Sequence, residues 1–314
     1  MTNLNIIGDS GKRKSKFDPD LAERINNQVE AEERRQKLEK KLRKKIEVEK
    51  GKEDDKIDNS ATRKLTAPNF TDVMFLEGEF GRDINEKVQG KYGKYSAIKN
   101  VVFTDDIVKG SNPFYAVAVQ EFLPENIRVA TQADLERILK MSSLQLKEQY
   151  EDSSLVWRSN QEPNKYLAKD IYRQFKSNGI ELIEEKAYVI PLFTLKLRED
   201  ENSPHKLAFD IVDLTLQSYF EAPILNEASR QKFNSDDIDE KIGLPKRVGT
   251  NGDRTLYTRN SRDYTIKNSG VCWLCLNWDL YANSNGELLA SSGASGRVVC
   301  VRAEGTTLKN LGWK

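Results

Sequence analysis

The chain has 314 residues, with 50 Lys+Arg against 49 Asp+Glu and a formal net charge of +1. That length supplies one large or two ordinary domains with a real core, and that balance exerts no global pull toward nucleic acid or an anionic membrane. The single histidine, His205, excludes mechanisms needing two imidazoles, and three cysteines are too few for a disulfide framework and suit a reducing compartment.

The N-terminal stretch is compositionally separate. Residues 11 to 64 hold 18 Lys/Arg and 13 Asp/Glu, and Phe17 is the only aromatic residue before Phe70. Such a segment has little to bury against its ordering entropy. Asp20 to Lys50 contains no Pro or Gly, and its Glu/Lys pairs three and four apart predict a helix with a thin Leu38, Leu42, Ile46 stripe. Two readings stand open: a solvated helical tail, or a basic arm for nucleic acid, membrane or a partner helix. Residues 1–66 are thus expected to be a charged arm ending in a linker over Gly51 to Ala67, and residues 67–314 the globular domain. The first twenty residues hold no apolar stretch of the signal-peptide kind, and no run approaches the ~20 apolar residues of a membrane span. The expectation is a cytoplasmic protein.

Within the globular part, Asn100 to Thr104 and Phe114 to Val119 (FYAVAV) read as strands, rich in β-branched and aromatic residues. Thr131 to Met141 reads as a helix, with Thr131 as N-cap, Asp134 in the capping-box position and Leu135, Ile138 and Leu139 as its buried stripe. Asn164 to Ser177 is a second helix, with Trp157, Tyr166 and Leu167 packing around it. Ala187 to Leu197 and Leu207 to Leu214 are strand candidates. The order is irregular, with no βαβ rhythm and no internal repeat, which predicts an α+β fold over a doubly wound sheet.

The segment from 268 to 301 changes character. Only Asp279, Glu287 and Arg297 are charged among its 34 residues, while Asn, Ser and Gly make up 13 of the 29 from Asn268 to Gly296. Trp273, Trp278 and Tyr281 accompany them. That mixture is the composition of a paratope, where rings give contact area at low entropic cost and small polar residues give adaptable hydrogen bonds; a turn-rich hairpin that lost its charges has the same composition. Period two separates an apolar set (Cys272, Leu274, Leu276, Leu280, Ala282) from a chemically mixed set (Trp273, Cys275, Asn277, Asp279, Tyr281, Asn283, Asn285) on opposite faces of an extended chain. Asn285-Gly286 signals a tight turn, Gly293 to Gly296 a second turn, and Arg297 to Arg302 a closing strand.

These residues resemble the variable proteins of diversity-generating retroelements, whose C-terminal domain is C-type-lectin-like. The matching positions are Leu274, Leu276, Leu280, Leu289, Ala290 and Gly296-Arg297-Val298-Val299, with RVATQADLERIL (Arg128 to Leu139) and RTLYTR (Arg254 to Arg259) upstream. The resemblance covers residues 95 to 304. It implies a C-type-lectin-like ligand-binding domain with a variable region at about 268–301, diversified by reverse-transcription errors at template adenines. It further implies a variable surface at Trp273, Cys275, Asn277, Trp278, Asp279, Tyr281, Asn283, Asn285, Gly286, Glu287, Ser291, Gly293 and Ser295. Adenine changes in an Asn codon do not reach Trp, so Trp273 and Trp278 need other template codons.

Other motifs point elsewhere only weakly. Cys272 and Cys275 form a CxxC inside a Leu-alternating strand, facing opposite ways, where a redox pair would open a helix. His205 lies in a loop (ENSPHKL), with solvent exposure the expectation. GKYGK (Gly90 to Lys94) lacks the spacing and hydroxyl of a phosphate loop. Lectin-like architectures also host formylglycine-generating oxidases, which need a cysteine pair able to meet in a cleft, and the three cysteines supply no convincing one. The expectation is therefore a non-enzymatic binding protein, without catalytic residues, metal or cofactor, whose partner is a protein ligand. The alternatives are a structural or adhesin-like interaction protein of a virus or mobile element with a fixed surface, and a nucleic-acid-associated protein acting through the arm.

Overall fold

The computed structural model describes residues 70–141, 146, 149–184, 186–212, 219–226, 230–258, 270–277, 281–286 and 288–303, all within one compact unit, Thr62–Lys314. The expected arm, its helix, the linker and the boundary at residue 67 lie outside them. The chain runs β1 (Phe70–Phe75), α1 (Gly78–Tyr92), the one-turn α2 (Ser96–Lys99), the hairpin β2 (Val102–Thr104) and β3 (Ile107–Lys109), then α3 (Pro113–Phe122). Next come β4 (Ile127–Val129), α4 (Gln132–Met141), β5 (Tyr150–Trp157), α5 (Lys165–Ser177), β6 (Tyr188–Pro191), β7 (Leu195–Glu199) and β8 (Leu207–Ile211). Short strands follow: β9 (Phe220–Glu221), β10 (Arg230–Phe233), β11 (Ile238–Asp239), β12 (Leu244–Pro245) and β13 (Arg254–Tyr257). The last are β14 (Val271–Leu276), β15 (Ala282–Gly286), β16 (Gly296–Arg297) and β17 (Val299–Ala303).

The fold is mixed helix and sheet around a curled sheet ordered β10-β13-β15-β14-β5-β6-β9, with β16 joining the start of β5. A second sheet, β1-β17-β4, sets Phe70 opposite Ala303. Among the described ladders only β13–β15 and β16–β5 are parallel, as expected of a chain without βαβ units. The largest core cluster gathers α1, α3, α5 and one face of the sheet. Two smaller clusters cover other parts: one around Val156, Leu256 and Leu274, the other, under α4, around Leu135, Leu276 and Val301. The central strand β14 is therefore covered on both faces.

Locally encoded elements form where the sequence places them. At α4 the Thr131 hydroxyl accepts from the Asp134 N–H (3.2 Å), and Asp134 accepts from the Thr131 N–H (2.8 Å), completing the capping box. Asp134 also takes a bidentate pair of bonds from buried Arg128, and two residues on, Glu136 does the same for buried Arg254. Helix α5 covers the second predicted helix, and Trp157 donates its indole N–H to Ala168 (2.9 Å) and stacks on Tyr172.

Four expectations are corrected. Phe114 to Val119 is not a strand but the interior of α3: Asn112 accepts from the Tyr115 N–H at 2.9 Å, Pro113 occupies the first turn, and burial all round removes the helical period from the apolar run. Ala187 to Leu197 is not one strand, because a 3₁₀ turn at Leu192–Thr194 breaks it; β6 stays in the large sheet and β7 pairs with β8 instead. Asn285-Gly286 is not a turn. Both lie in β15, and the reversal falls between Asn277 and Tyr281, where the Asn277 N–H donates to the Tyr281 carbonyl at 2.8 Å. His205 is half-buried rather than exposed, its ring 5.1 Å from that of Phe114, and burial lowers its pKa.

Candidate ligand-binding surface

Strand β5 is the spine of the region. It pairs antiparallel with β14, from Val271 opposite Trp157 to Leu276 opposite Glu151. Between Leu274 and Cys275 the register slips, leaving Ser153 as the extra residue of a bulge. The Ser153 hydroxyl bonds the Leu274 carbonyl at 3.0 Å, so the irregular backbone stays satisfied. On its other edge β14 pairs with β15, which runs parallel to β13 with Asn283 opposite Tyr257.

The variable surface that the resemblance implies divides. Ser291, Gly293 and Ser295 are exposed; Asn277, Tyr281 and Asn283 are half-buried; Asn285 lies in β15; and Trp278, Asp279 and Glu287 lie outside the described residues. The Tyr281 ring meets Tyr257 edge-on, centroids 5.3 Å apart, which orders it while leaving part of it to solvent. Asn277 and Tyr281 close the β14–β15 connection at the Glu151 end of β5, where the Ser295 carbonyl also accepts from the Tyr150 N–H. These positions share one end of the sheet. Trp273, opposite Leu155, sits roughly 15 Å further along β5 by strand rise.

Cys275 and Gly286 are corrected as surface positions. Cys275 is only 3% exposed, because the face of β14 that alternation assigns to solvent is itself covered. Burial, reinforced by the nearby Asp152 and Glu151 carboxylates, pushes its thiol well above the ordinary range, so it is an unreactive core residue. Gly286 is buried against the Trp273 indole. Trp273 itself is half-buried and packs on the main core. Cys272 and Cys300 are buried free thiols, the latter pushed up to about 12 by burial. Among the described residues no group of three or more His, Cys, Asp or Glu is placed to hold a metal ion.

The structure adds residues that the composition did not mark. Leu288 is 70% exposed, beside fully buried Leu289. At the start of β5, Asp152 accepts from the Ser111 hydroxyl at 2.6 Å and Glu151 from Arg297 at 3.1 Å, both carboxyls buried. Burial raises each to about 7, opposed at Glu151 by the Arg297 charge and at Asp152 by the Ser111 hydroxyl. Arg297 also lies 4.6 Å over the Phe75 ring, tying β16 to β1. Their partners stand far away in sequence, so no local pattern signals this network.

No family model, curated protein or solved structure matches the chain. Among the described residues no helix is long and apolar enough to cross a membrane.

Proposed function

We propose that this chain is a non-enzymatic ligand-binding protein of the diversity-generating retroelement class, with a C-type-lectin-like domain whose surface near the start of β5 is diversified. The observation that carries the reading is the division of the 270–303 segment. Cys272, Leu274, Leu276, Ala282, Leu289, Val298 and Val299 are buried, whereas Asn277, Tyr281 and Asn283 are part-exposed and Ser291, Gly293 and Ser295 exposed. A scaffold of fixed apolar residues carrying small polar and aromatic residues outward is what a replaceable binding face requires. The reactive groups also suit binding better than chemistry: Cys275 and Cys300 are buried with raised pKa values, and His205 lies against Phe114.

The ligand would be a protein, with Tyr281 as its aromatic anchor and the 291–295 loop as the adaptable rim. The burial of Cys275 and Gly286 and the packing of Trp273 favour the second reading, an interaction protein with a fixed surface, at those three positions. The nucleotide sequence around the gene decides between them. The proposal requires a near-copy of the codons for 268–301, differing at adenines and accompanied by a reverse transcriptase gene. A genome without either overturns it in favour of the fixed surface.

A further inference from the structure

Tyr150, the first residue of β5, meets the loop between Leu288 and β16 at main-chain atoms. Its hydroxyl accepts from the Gly293 N–H at 2.7 Å and donates to the Ser111 carbonyl at 2.8 Å, and its own N–H donates to the Ser295 carbonyl at 3.1 Å. A phenol suits this place because one oxygen donates and accepts at once. Burial pushes its pKa well above the ordinary value, so the donor proton stays in place across physiological pH. The rest of the loop closes in the same currency: Ser291 N–H to Leu288 O (2.8 Å), Gly296 N–H to Gly293 O (2.9 Å), and Gly110 N–H to Gly296 O (2.9 Å). The exposed side chains of Ser291, Ala294 and Ser295 take no part.

The two glycines of the turn sharpen the distinction. A Cβ on Gly296 would lie 2.4 Å from the Tyr150 Cζ and 2.7 Å from the Ser111 nitrogen, so residue 296 is fixed. A Cβ on Gly293 would lie 3.4 Å from the same ring, an ordinary contact, and neither its φ nor its neighbours forbid a side chain. The ring therefore closes on 296 and leaves 293 open.

We infer that Tyr150 is the positioning residue of the binding face: it holds the 291–295 loop by its backbone, so that side chains at 291, 293 and 295 can be exchanged while the loop keeps its shape. The inference deepens the proposed function and rests on it only in treating these three positions as ligand contacts. Its physical content is preorganisation, since a loop fixed by the scaffold loses less freedom on binding whatever side chains it carries.

The test uses the full chain and Tyr150→Phe, which keeps the ring and removes the oxygen. Hydrogen exchange at the Gly293 amide is expected to accelerate at least tenfold, with β14 amides unchanged. Residues 291, 293 and 295 are then randomised together in both backgrounds, displayed on yeast and scored for protease resistance. The folded fraction is expected to be at least threefold higher with Tyr150. Unchanged Gly293 exchange, or equal folded fractions, overturns the inference. Should Tyr150→Phe fail to fold, the parent library decides alone: most members must survive, and loss of the majority overturns the inference. A tolerant, Tyr150-dependent loop in a gene lacking a template copy would sink the retroelement reading and leave this inference standing. An intolerant loop beside a template copy would do the reverse.

Discussion

The indole of Trp273 occupies the space that a side chain at Gly286 would need. The two residues are cross-strand partners, and a Cβ on Gly286 would lie 1.9 Å from the Trp273 Cε2. Glycine is required here for the close approach of the ring, not for a turn. The two positions thus act as one, filled from β14 or from β15.

Gly286→Ala should therefore be destabilising in the parent, by about 1–3 kcal/mol as overpacking typically costs. In a Trp273→Ala background most of that penalty should vanish, because the clashing ring is gone. Denaturant unfolding of the four proteins gives the coupling directly. Additivity to within about 0.5 kcal/mol would show that the positions are independent.

Scaffold and rim should separate in stability. Leu274 and Leu276 are fully buried in different clusters, so each truncation to Ala is expected to cost about 2–5 kcal/mol. Ser291→Ala and Ser295→Ala should stay within about 0.5 kcal/mol of the parent. Thermal melts decide this, and comparable losses in the two sets would contradict the division.

Asp152 sets an expected pH dependence. Its folded pKa of about 7 lies above the ordinary 3.8, so between those values the native state holds a proton that the unfolded chain has released. Its contribution to stability is then fully present below about pH 4 and is lost as the pH rises toward 7. Asp152→Asn keeps the shape and cannot ionise. The stability of that variant relative to the parent should rise steadily from pH 4 to pH 7.5. A relative stability that is flat or falls over this range would show that Asp152 is not held protonated.

The buried pair Arg254–Glu136 should show the asymmetry of desolvated charges. The pair is bidentate, and the guanidinium lies 4.9 Å from the Phe233 ring centre. Glu136→Ala takes the bidentate carboxylate away from a buried cation and is expected to cost about 3–5 kcal/mol. The double change Glu136→Leu with Arg254→Met should recover most of that loss. A double variant as unstable as the single would assign the pair a net stabilising role beyond mutual neutralisation.

What the sequence makes legible is what is encoded locally. Helix α4 announces itself through Thr131 and Asp134, three residues apart, and α5 through its apolar face. Strand β5, next to the central β14 in the large sheet, gives no such signal: it begins Tyr150-Glu151-Asp152-Ser153-Ser154, a polar run without the apolar alternation of a strand. It is buried because distant residues satisfy it, Ser111 being 41 positions away and Arg297 146. Period two likewise finds the Leu274 and Leu276 scaffold, but it assumes that the other face meets water. At Cys275 that face is covered, a fact set by packing between elements and invisible in spacing.

The pairing of β1 with β17 brings Phe70 opposite Ala303, so the first and last described strands lie side by side with these two residues within roughly 5 Å. Ends so close can be joined by a short linker and the chain reopened elsewhere. Gly179, just beyond α5, is a natural point: it is exposed, its φ is +76°, and nothing approaches its missing Cβ within 4 Å. A circular permutant cut there keeps every strand of both main sheets whole. By the same geometry, the domain can be inserted into a surface hairpin of a carrier protein, both junctions fitting between neighbouring strands.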